Sequence, residues 1–252
     1  MKFIRFEKDG QLCQGLLTGT EVQKITGDIF SDYTIGKECF GLGEVALLPP
    51  CMPAKIVAVG LNYRGHAQEM KMDIPDEPLL FLKPSTAVIG PGAAIIYPKM
   101  SQRVDYEGEL GVVIGKLCIN VSEQDAPDYI FGYTCLNDVT ARDLQKKDGQ
   151  FTRAKGFDTF CPIGPCIETE LDPSASIIET LLNGQLRQKT STADFIFPVY
   201  RLVSFISQVM TLMPGDVIAT GTPSGIGPMQ PGDEVEVRIS GIGSLHNRVV
   251  VA

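Results

Sequence analysis

The sequence predicts a mainly β fold with a few helices, in which a small β-rich N-terminal piece precedes a larger body. Three observations carry that expectation. Glycine (26) and proline (17) recur often enough to cut 252 residues into short segments, as folds of many strands require. Asp9-Gly10 and Asn183-Gly184 stand between β-prone runs, where residues of positive φ close a tight hairpin. Val235, Val237 and Ile239 alternate with Glu234, Glu236 and Arg238, the period of a half-exposed strand.

The elements follow in order. Phe3-Ile4-Arg5-Phe6, Asp9-Gly10 and residues 12–17 read as an opening hairpin. Pro49-Pro50 can neither continue a helix nor pair in a central strand, so a boundary is placed there. Ile56-Val57-Ala58-Val59 reads as a buried strand, and residues 65–70 as one or two helical turns. Residues 74–78 form a proline-set polar loop, with strands expected at 79–82, 87–89 and 110–114. Residues 140–147 have helix-forming composition, with Thr140 as cap and Gly149 as stop. The apolar spacing over 200–213 is helical, closed by Pro214-Gly215. Strands are expected again at 216–219 and 245–251.

Charge and composition exclude several classes. There are 22 basic against 30 acidic residues, a net charge of −8, and Lys146-Lys147 is the densest basic pair. An acidic chain without a basic patch is a poor partner for nucleic acid or an anionic membrane. No apolar run approaches the roughly 18 residues of a membrane span. The charged, alternating start MKFIRFEKDG does not read as a signal peptide, so a cytoplasmic location is expected. Seven cysteines without a CxxC pair read as free thiols of a reducing compartment. Cys161 and Cys166 are followed by no second ligand pair, so no zinc site is expected there.

Glu107-Gly108-Glu109 leads into the apolar run from Leu110. In extended chain, positions i and i+2 face the same way. Two carboxylates then share one face, and they repel unless a cation lies between them. Gly108 leaves the opposite face bare, so another segment can approach closely. Asp138 is a third acid, between a β-prone run and the helix at 140–147. Oxygen ligands of this kind suit Mg²⁺, Mn²⁺ or Ca²⁺. Three carboxylates against one dication leave about −1, so an anionic substrate needs cationic neighbours. Arg142, Lys155 and Lys83, each by itself a solvated surface charge, are the candidates, with Gln145 three residues beyond Arg142.

His66 and Glu69, at i and i+3, share one face of a helical turn. A carboxylate on one ring nitrogen leaves the other as a base, with an unperturbed pKa of about 6.5. His246, on a terminal strand between Leu245 and Asn247, reads as a structural residue with no part in the chemistry. Gly221-Thr222-Pro223-Ser224-Gly225 lacks a GK[ST] and its prolines remove donors, so a substrate-contacting or plain turn is expected, not a phosphate loop.

In this order the stretches resemble the fumarylacetoacetate hydrolase superfamily. They are Val59 to Tyr63 with His66 and Glu69; Phe81-Leu82-Lys83-Pro84; Asp105 to Leu110; Asn137 to Asp143; Lys155 to Asp158; Pro214 to Ile218; and Gly221-Thr222-Pro223. The resemblance implies a mixed β-sandwich roll over residues 53–252, preceded by a small domain at 1–52 and forming a homodimer. It assigns Mg²⁺ or Mn²⁺ (Ca²⁺ as a substitute) to Glu107, Glu109 and Asp138, and a catalytic dyad to His66 and Glu69. It makes Lys155 an oxyanion stabiliser and places Arg142, Gln145 and Thr222, with Lys83 from its neighbourhood, near substrate. The implied reaction passes through the enolate of a 2-oxo acid. Hydrolysis of an acylpyruvate C–C bond is the leading expectation. Oxaloacetate decarboxylation and 2-hydroxyhepta-2,4-diene-1,7-dioate isomerisation are the alternatives. A non-catalytic domain in which Ca²⁺ only stabilises the fold would leave His66 and Lys155 without purpose. Residues 70–78 are expected to act as a lid.

Overall fold

Asp9 and Gly10 adopt φ of +50° and +77° and join β1 (Lys2–Lys8) to β2 (Gln11–Thr18), the hairpin the sequence predicts. The computed structural model describes residues 1–252. Two further strands, β3 (Glu21–Gly27) and β4 (Tyr33–Gly41), extend the meander, and β5 (Ala46–Leu48) returns alongside β1. Strand makes up 45% of the chain and helix 17%, so the mainly β expectation holds.

The body begins with β6 (Ile56–Val59), α1 (Arg64–Met70), β7 (Leu80–Lys83), β8 (Val88–Ile89) and β9 (Ala94–Tyr97). Next come β10 (Val104–Tyr106), β11 (Gly108–Ile114), β12 (Ile130–Asn137) and β13 (Thr140–Ala141). Two short helices follow, α2 (Arg142–Asp148) and α3 (Thr152–Lys155). Then come β14 (Cys161–Glu168), β15 (Ile177–Leu182), β16 (Gln185–Ser191) and α4 (Val199–Val209). The chain closes with β17 (Val217–Ala219), β18 (Gly227–Met229), β19 (Glu234–Ile239) and β20 (Gly243–Val251).

The long sheet runs β4-β3-β2-β1-β14-β12-β11-β17-β6-β7, with β5 beside β1 and β8 beside β14. A five-stranded sheet, β16-β15-β19-β20-β9, packs on it, β15 against β11 and β19 against β12. A third sheet, β13-β10-β18, lies beside them. Every residue of β11 is buried, which is why its sequence is continuously apolar after Glu109. The main core joins Leu110, Val112 and Ile114 to Leu202, Val203 and Ile206 of α4, and it also includes Ile4 and Phe6 of β1. β1 pairs directly with β14, Lys2 opposite Glu168, so one sheet crosses from the first fifty residues into the body.

Two element boundaries differ from the sequence reading. Thr140 does not cap α2: it lies in β13 opposite Asp105, and its hydroxyl donates to the Asp138 carbonyl. Helix α4 stops at Val209, four residues before the periodicity does. Leu212 exchanges two backbone hydrogen bonds with Cys118, and that pairing overrides the local helical preference.

Gly108 meets the expectation of close approach. A Cβ there would lie 2.0 Å from Thr180 Oγ1, a buried hydroxyl with no hydrogen-bond partner. Gly108→Ala is therefore expected to cost about 1–3 kcal/mol by overpacking. Thr180→Ala alone costs under about 1 kcal/mol, and it relieves the clash when combined with Gly108→Ala. Denaturant titration of the two single variants and the double checks this: a double variant less stable than Gly108→Ala would refute it.

Candidate active site

Glu107 precedes β11, Glu109 lies within it, and Asp138 follows β12 next to it in the sheet. Antiparallel pairing of Gly108 with Asn137 brings the three acids together. One oxygen from each lies within 4.8 Å of the others, and all three residues are buried. The Glu107 backbone N–H donates to Asn137 Oδ1 at 2.9 Å, and the Asp138 N–H donates to the Glu107 carbonyl at 2.8 Å. The chain thus fixes both approaches to the cluster.

The cations surrounding it are buried, which corrects the reading of each as a solvated surface charge. Lys83, Lys155 and Arg142 retain 1%, 3% and 5% of their surface. Lys155 Nζ donates to Glu107 Oε2 at 2.8 Å and to Asp138 Oδ2 at 2.6 Å, and it lies 5.1 Å from the centre of the Phe81 ring. Arg142 donates through Nε to Asp105 at 2.9 Å and through Nη2 to Glu107. Lys83 donates to Asp138 Oδ1 at 2.6 Å and to the carbonyls of Val139 and Lys155. Desolvation alone would make these charges costly; pairing holds them in place.

The acids divide electrostatically. Burial opposes ionisation of Glu107, yet Lys155 and Arg142 overcome it and hold its carboxyl well below the usual range. Burial pushes Glu109 well above that range, and the charges of Asp138 and Glu107 push it further. The Lys155 charge and the Gly221 N–H, 2.8 Å away, favour its charged form but do not offset this. Lys155 stays charged: burial disfavours its ammonium, but Asp138 and Glu107 more than compensate.

The donor set fits a divalent cation. All three ligands are hard oxygens, and a buried ammonium already lies between two of them, supplying the positive charge the carboxylates need. Asp105, Glu107, Glu109 and Asp138 face Lys83, Arg103, Arg142 and Lys155, so ionised acids and cations balance; a dication would leave the site positive and favour an anionic ligand. Mg²⁺ or Mn²⁺ at 100 times its Kd is expected to raise Tm by about 5–10 °C. Glu109→Gln should abolish that response. Because Glu109 is a carboxylate kept from its comfortable ionisation, its unmet charge weakens the metal-free fold increasingly as pH rises above the unfolded carboxyl pKa. The variant's metal-free Tm at pH 7 should therefore equal or exceed that of the wild type. Thermal melts with and without metal decide, and a full metal response in Glu109→Gln refutes the ligand role.

His66 and Glu69 lie on α1. His66 Nδ1 is 2.9 Å from Glu69 Oε2, and Glu69 Oε1 accepts from the Gly225 N–H at 3.0 Å. This leaves Nε2 as the free ring nitrogen. His66, Glu107, Arg142, Gln145 and Lys155 line one pocket of about 210 Å³. Its remaining wall is largely apolar: Phe81 and Phe151 pack edge to face, and Met70, Met72 and Leu79 are exposed lining residues. Gln145 accepts from Arg142 Nη1 at 2.6 Å. His246 is exposed, 3.3 Å from Glu236, and outside this pocket.

Two residues expected at the substrate, Lys83 and Thr222, do not line this pocket. All three contacts of the Lys83 ammonium go to protein acceptors. The single hydroxyl proton of Thr222 goes to the Gly108 carbonyl at 3.0 Å. Sequence reasoning assigned no role to Asp105, although its alternation with Glu107 marks it as another inward-facing acid. Exposed Lys146, named only for the basic pair it forms with Lys147, also lines the pocket, and buried Gln188 was likewise given no role.

Residues 55–250 match the fumarylacetoacetate hydrolase C-terminal family, and residues 1–50 match the Rv2993c-like N-terminal domain. The chain belongs to the fumarylacetoacetate hydrolase family. It is 43% identical over 230 residues to an oxaloacetate tautomerase of Bacillus subtilis, covering 85% of this chain and 76% of that protein. The crystal structure of a 2-hydroxyhepta-2,4-diene-1,7-dioate isomerase from Mycobacterium marinum is 42% identical with a TM-score of 0.94, covering 100% of this chain and 98% of that one. A maleylpyruvate hydrolase from Sphingobium sp. SYK-6, in complex with manganese (II) and pyruvate, is 31% identical with a TM-score of 0.84 over 100% of both chains. The relatives are thus enzymes of several reaction types. No helix of this chain is long and apolar enough to cross a membrane.

Proposed function

We propose that the protein is a Mg²⁺- or Mn²⁺-dependent enzyme that moves a proton between carbon and oxygen of a 2-oxo acid, interconverting enol and keto forms. The observation that carries this is the pocket, which is lined both by His66, whose Nε2 has no protein partner, and by Glu107 of the buried acid cluster. A divalent cation bound to Glu107, Glu109 and Asp138 would polarise the 2-oxo group and its carboxylate. His66 Nε2 takes a proton from the carbon next to the keto group and returns it to the enol oxygen in the same turnover. Glu69 holds the Nδ1 proton and stabilises the imidazolium between the two transfers. Arg142 and Lys155 provide the positive field that receives the substrate's charge. Met70 and Met72 bring apolar surface to the pocket, where closure of residues 70–78 over a substrate would exclude water.

The identity of 43% to a named tautomerase and 42% to a named isomerase favours proton transfer over the hydrolysis that leads the sequence reading. Hydrolysis of an acylpyruvate is the second reading, favoured by the manganese- and pyruvate-bound hydrolase of the same fold. There the same His66 would take its proton from water. The test uses chelator-stripped protein restored with Mg²⁺ or Mn²⁺. The loss of enol oxaloacetate absorbance and pyruvate release from acetylpyruvate are followed in parallel. Faster metal-dependent enol loss is expected. Faster cleavage of acetylpyruvate would make hydrolysis the function, and neither reaction under either metal would overturn both readings.

A further inference from the structure

The turn at residues 221–225 touches both halves of the site. At one end the Gly221 N–H donates to Glu109 at 2.8 Å. At the other, the Gly225 N–H donates to Glu69 at 3.0 Å, and Ser224 Oγ lies 3.4 Å from where a Cβ would stand on Gly65, the neighbour of His66. A single turn thus spans from the acid cluster to the dyad. Gly221, Thr222 and Pro223 are buried, and only Ser224 at the tip is exposed.

From behind, the Tyr106 hydroxyl donates to the Gly225 carbonyl at 2.9 Å, and one further side chain bonds to the middle of the turn and to the strand beneath it. Gln188, on β16 and 1% exposed, donates through Nε2 to Thr222 Oγ1 and to the Pro223 carbonyl, both at 2.9 Å. Its Oε1 accepts from the Gly108 N–H at 3.1 Å, between the two glutamates. Thr222 closes the loop by donating to the Gly108 carbonyl. Gly225 is seated tightly on the same strand: at φ +97°, a Cβ there would lie 2.3 Å from the Arg187 carbonyl oxygen.

We propose that Gln188 is a positioning residue: it locks the 221–225 turn as a strut that sets the distance between the acid cluster and the His66–Glu69 dyad. The inference rests on the reading of the site given above, and Gln188 itself touches no reacting atom. Buried hydrogen-bond partners of this kind typically change metal affinity or activity by about 10–100-fold when removed.

Gln188→Met keeps the bulk and removes all three bonds. Thr222→Val removes the hydroxyl, and Thr222→Ser keeps it. Two readouts are independent of turnover: the affinity for Mn²⁺ alone, and the proton NMR signals of the two histidine rings. His246, with 65% of its side chain exposed, is the internal reference. Gln188→Met is expected to weaken Mn²⁺ binding by about 10–100-fold and to shift the His66 signals while leaving those of His246 in place. Thr222→Val should do the same and Thr222→Ser should not. The double variant should resemble either single one, because both act through one turn.

A folded Gln188→Met protein with lower Tm but wild-type Mn²⁺ affinity and His66 signals would overturn the strut. If that variant does not fold, the contrast between Thr222→Val and Thr222→Ser decides in the same way. If the wild-type chain binds Mn²⁺ yet turns over no 2-oxo acid, the proposed reaction fails while the strut is still judged on metal affinity. If it binds no Mn²⁺, the His66 signals alone judge it.

Discussion

Asp138→Asn is expected to abolish turnover by about 10³-fold or more and to lower stability by about 3–5 kcal/mol. Both carboxylate oxygens of Asp138 are committed, one to Lys83 and one to Lys155, each at 2.6 Å. An asparagine offers one oxygen to one ammonium and presents N–H donors to the other. Lys83, with a side chain 0% exposed, then loses its carboxylate partner, and Lys155, 4% exposed, keeps only Glu107. The loss corresponds to about 6–20 °C in Tm for a chain of this size. Calorimetry and a metal titration check it together. A variant with wild-type Tm, or with a full Mn²⁺ response, would show that Asp138 is neither the hub of the buried charges nor a ligand.

His66→Ala should lower turnover by about 10²–10⁴-fold while the Mn²⁺-induced rise in Tm persists. The two effects separate because His66 contacts Glu69 and lines the pocket, whereas the acid cluster is held by β11, β12 and the buried cations. Added imidazole should restore part of the rate, since the missing ring leaves space beside a pocket of about 210 Å³. Wild-type turnover in His66→Ala would remove the base from the mechanism. Loss of the metal response would place His66 in the metal site instead.

Much of this site was legible because its signals are local. Glu107 and Glu109 are two residues apart in extended chain, and His66 and Glu69 are three apart in helix, so spacing alone places each pair on one face. The burial of Lys83 was not legible. It depends on Asp138, 55 residues away in sequence, and a lysine before a proline looks like any surface charge. Gln188 was missed for the same reason: its partners are 80 and 34 residues distant. In the fold, turn chemistry at Asp9-Gly10 and Asn183-Gly184 fixed hairpins directly. The end of α4 escaped because a backbone pairing with Cys118, not the local sequence, stops the helix.

The pairing of β1 with β14 has a consequence for synthesis of the chain. Lys2 leaves the ribosome well before its partner Glu168, which follows 166 residues later, about 8–33 s at 5–20 residues per second. During that interval β1 is an unfinished sheet border of the kind that recruits other chains. The early strand β5 shortens the exposure, since Ala46–Leu48 covers Glu7, Phe6 and Arg5 within the first fifty residues. Only Lys2 and Phe3 wait for β14. Without β5, this stretch of backbone would stay open through most of translation, and the cost would appear as aggregation of nascent chains with no change in the finished enzyme.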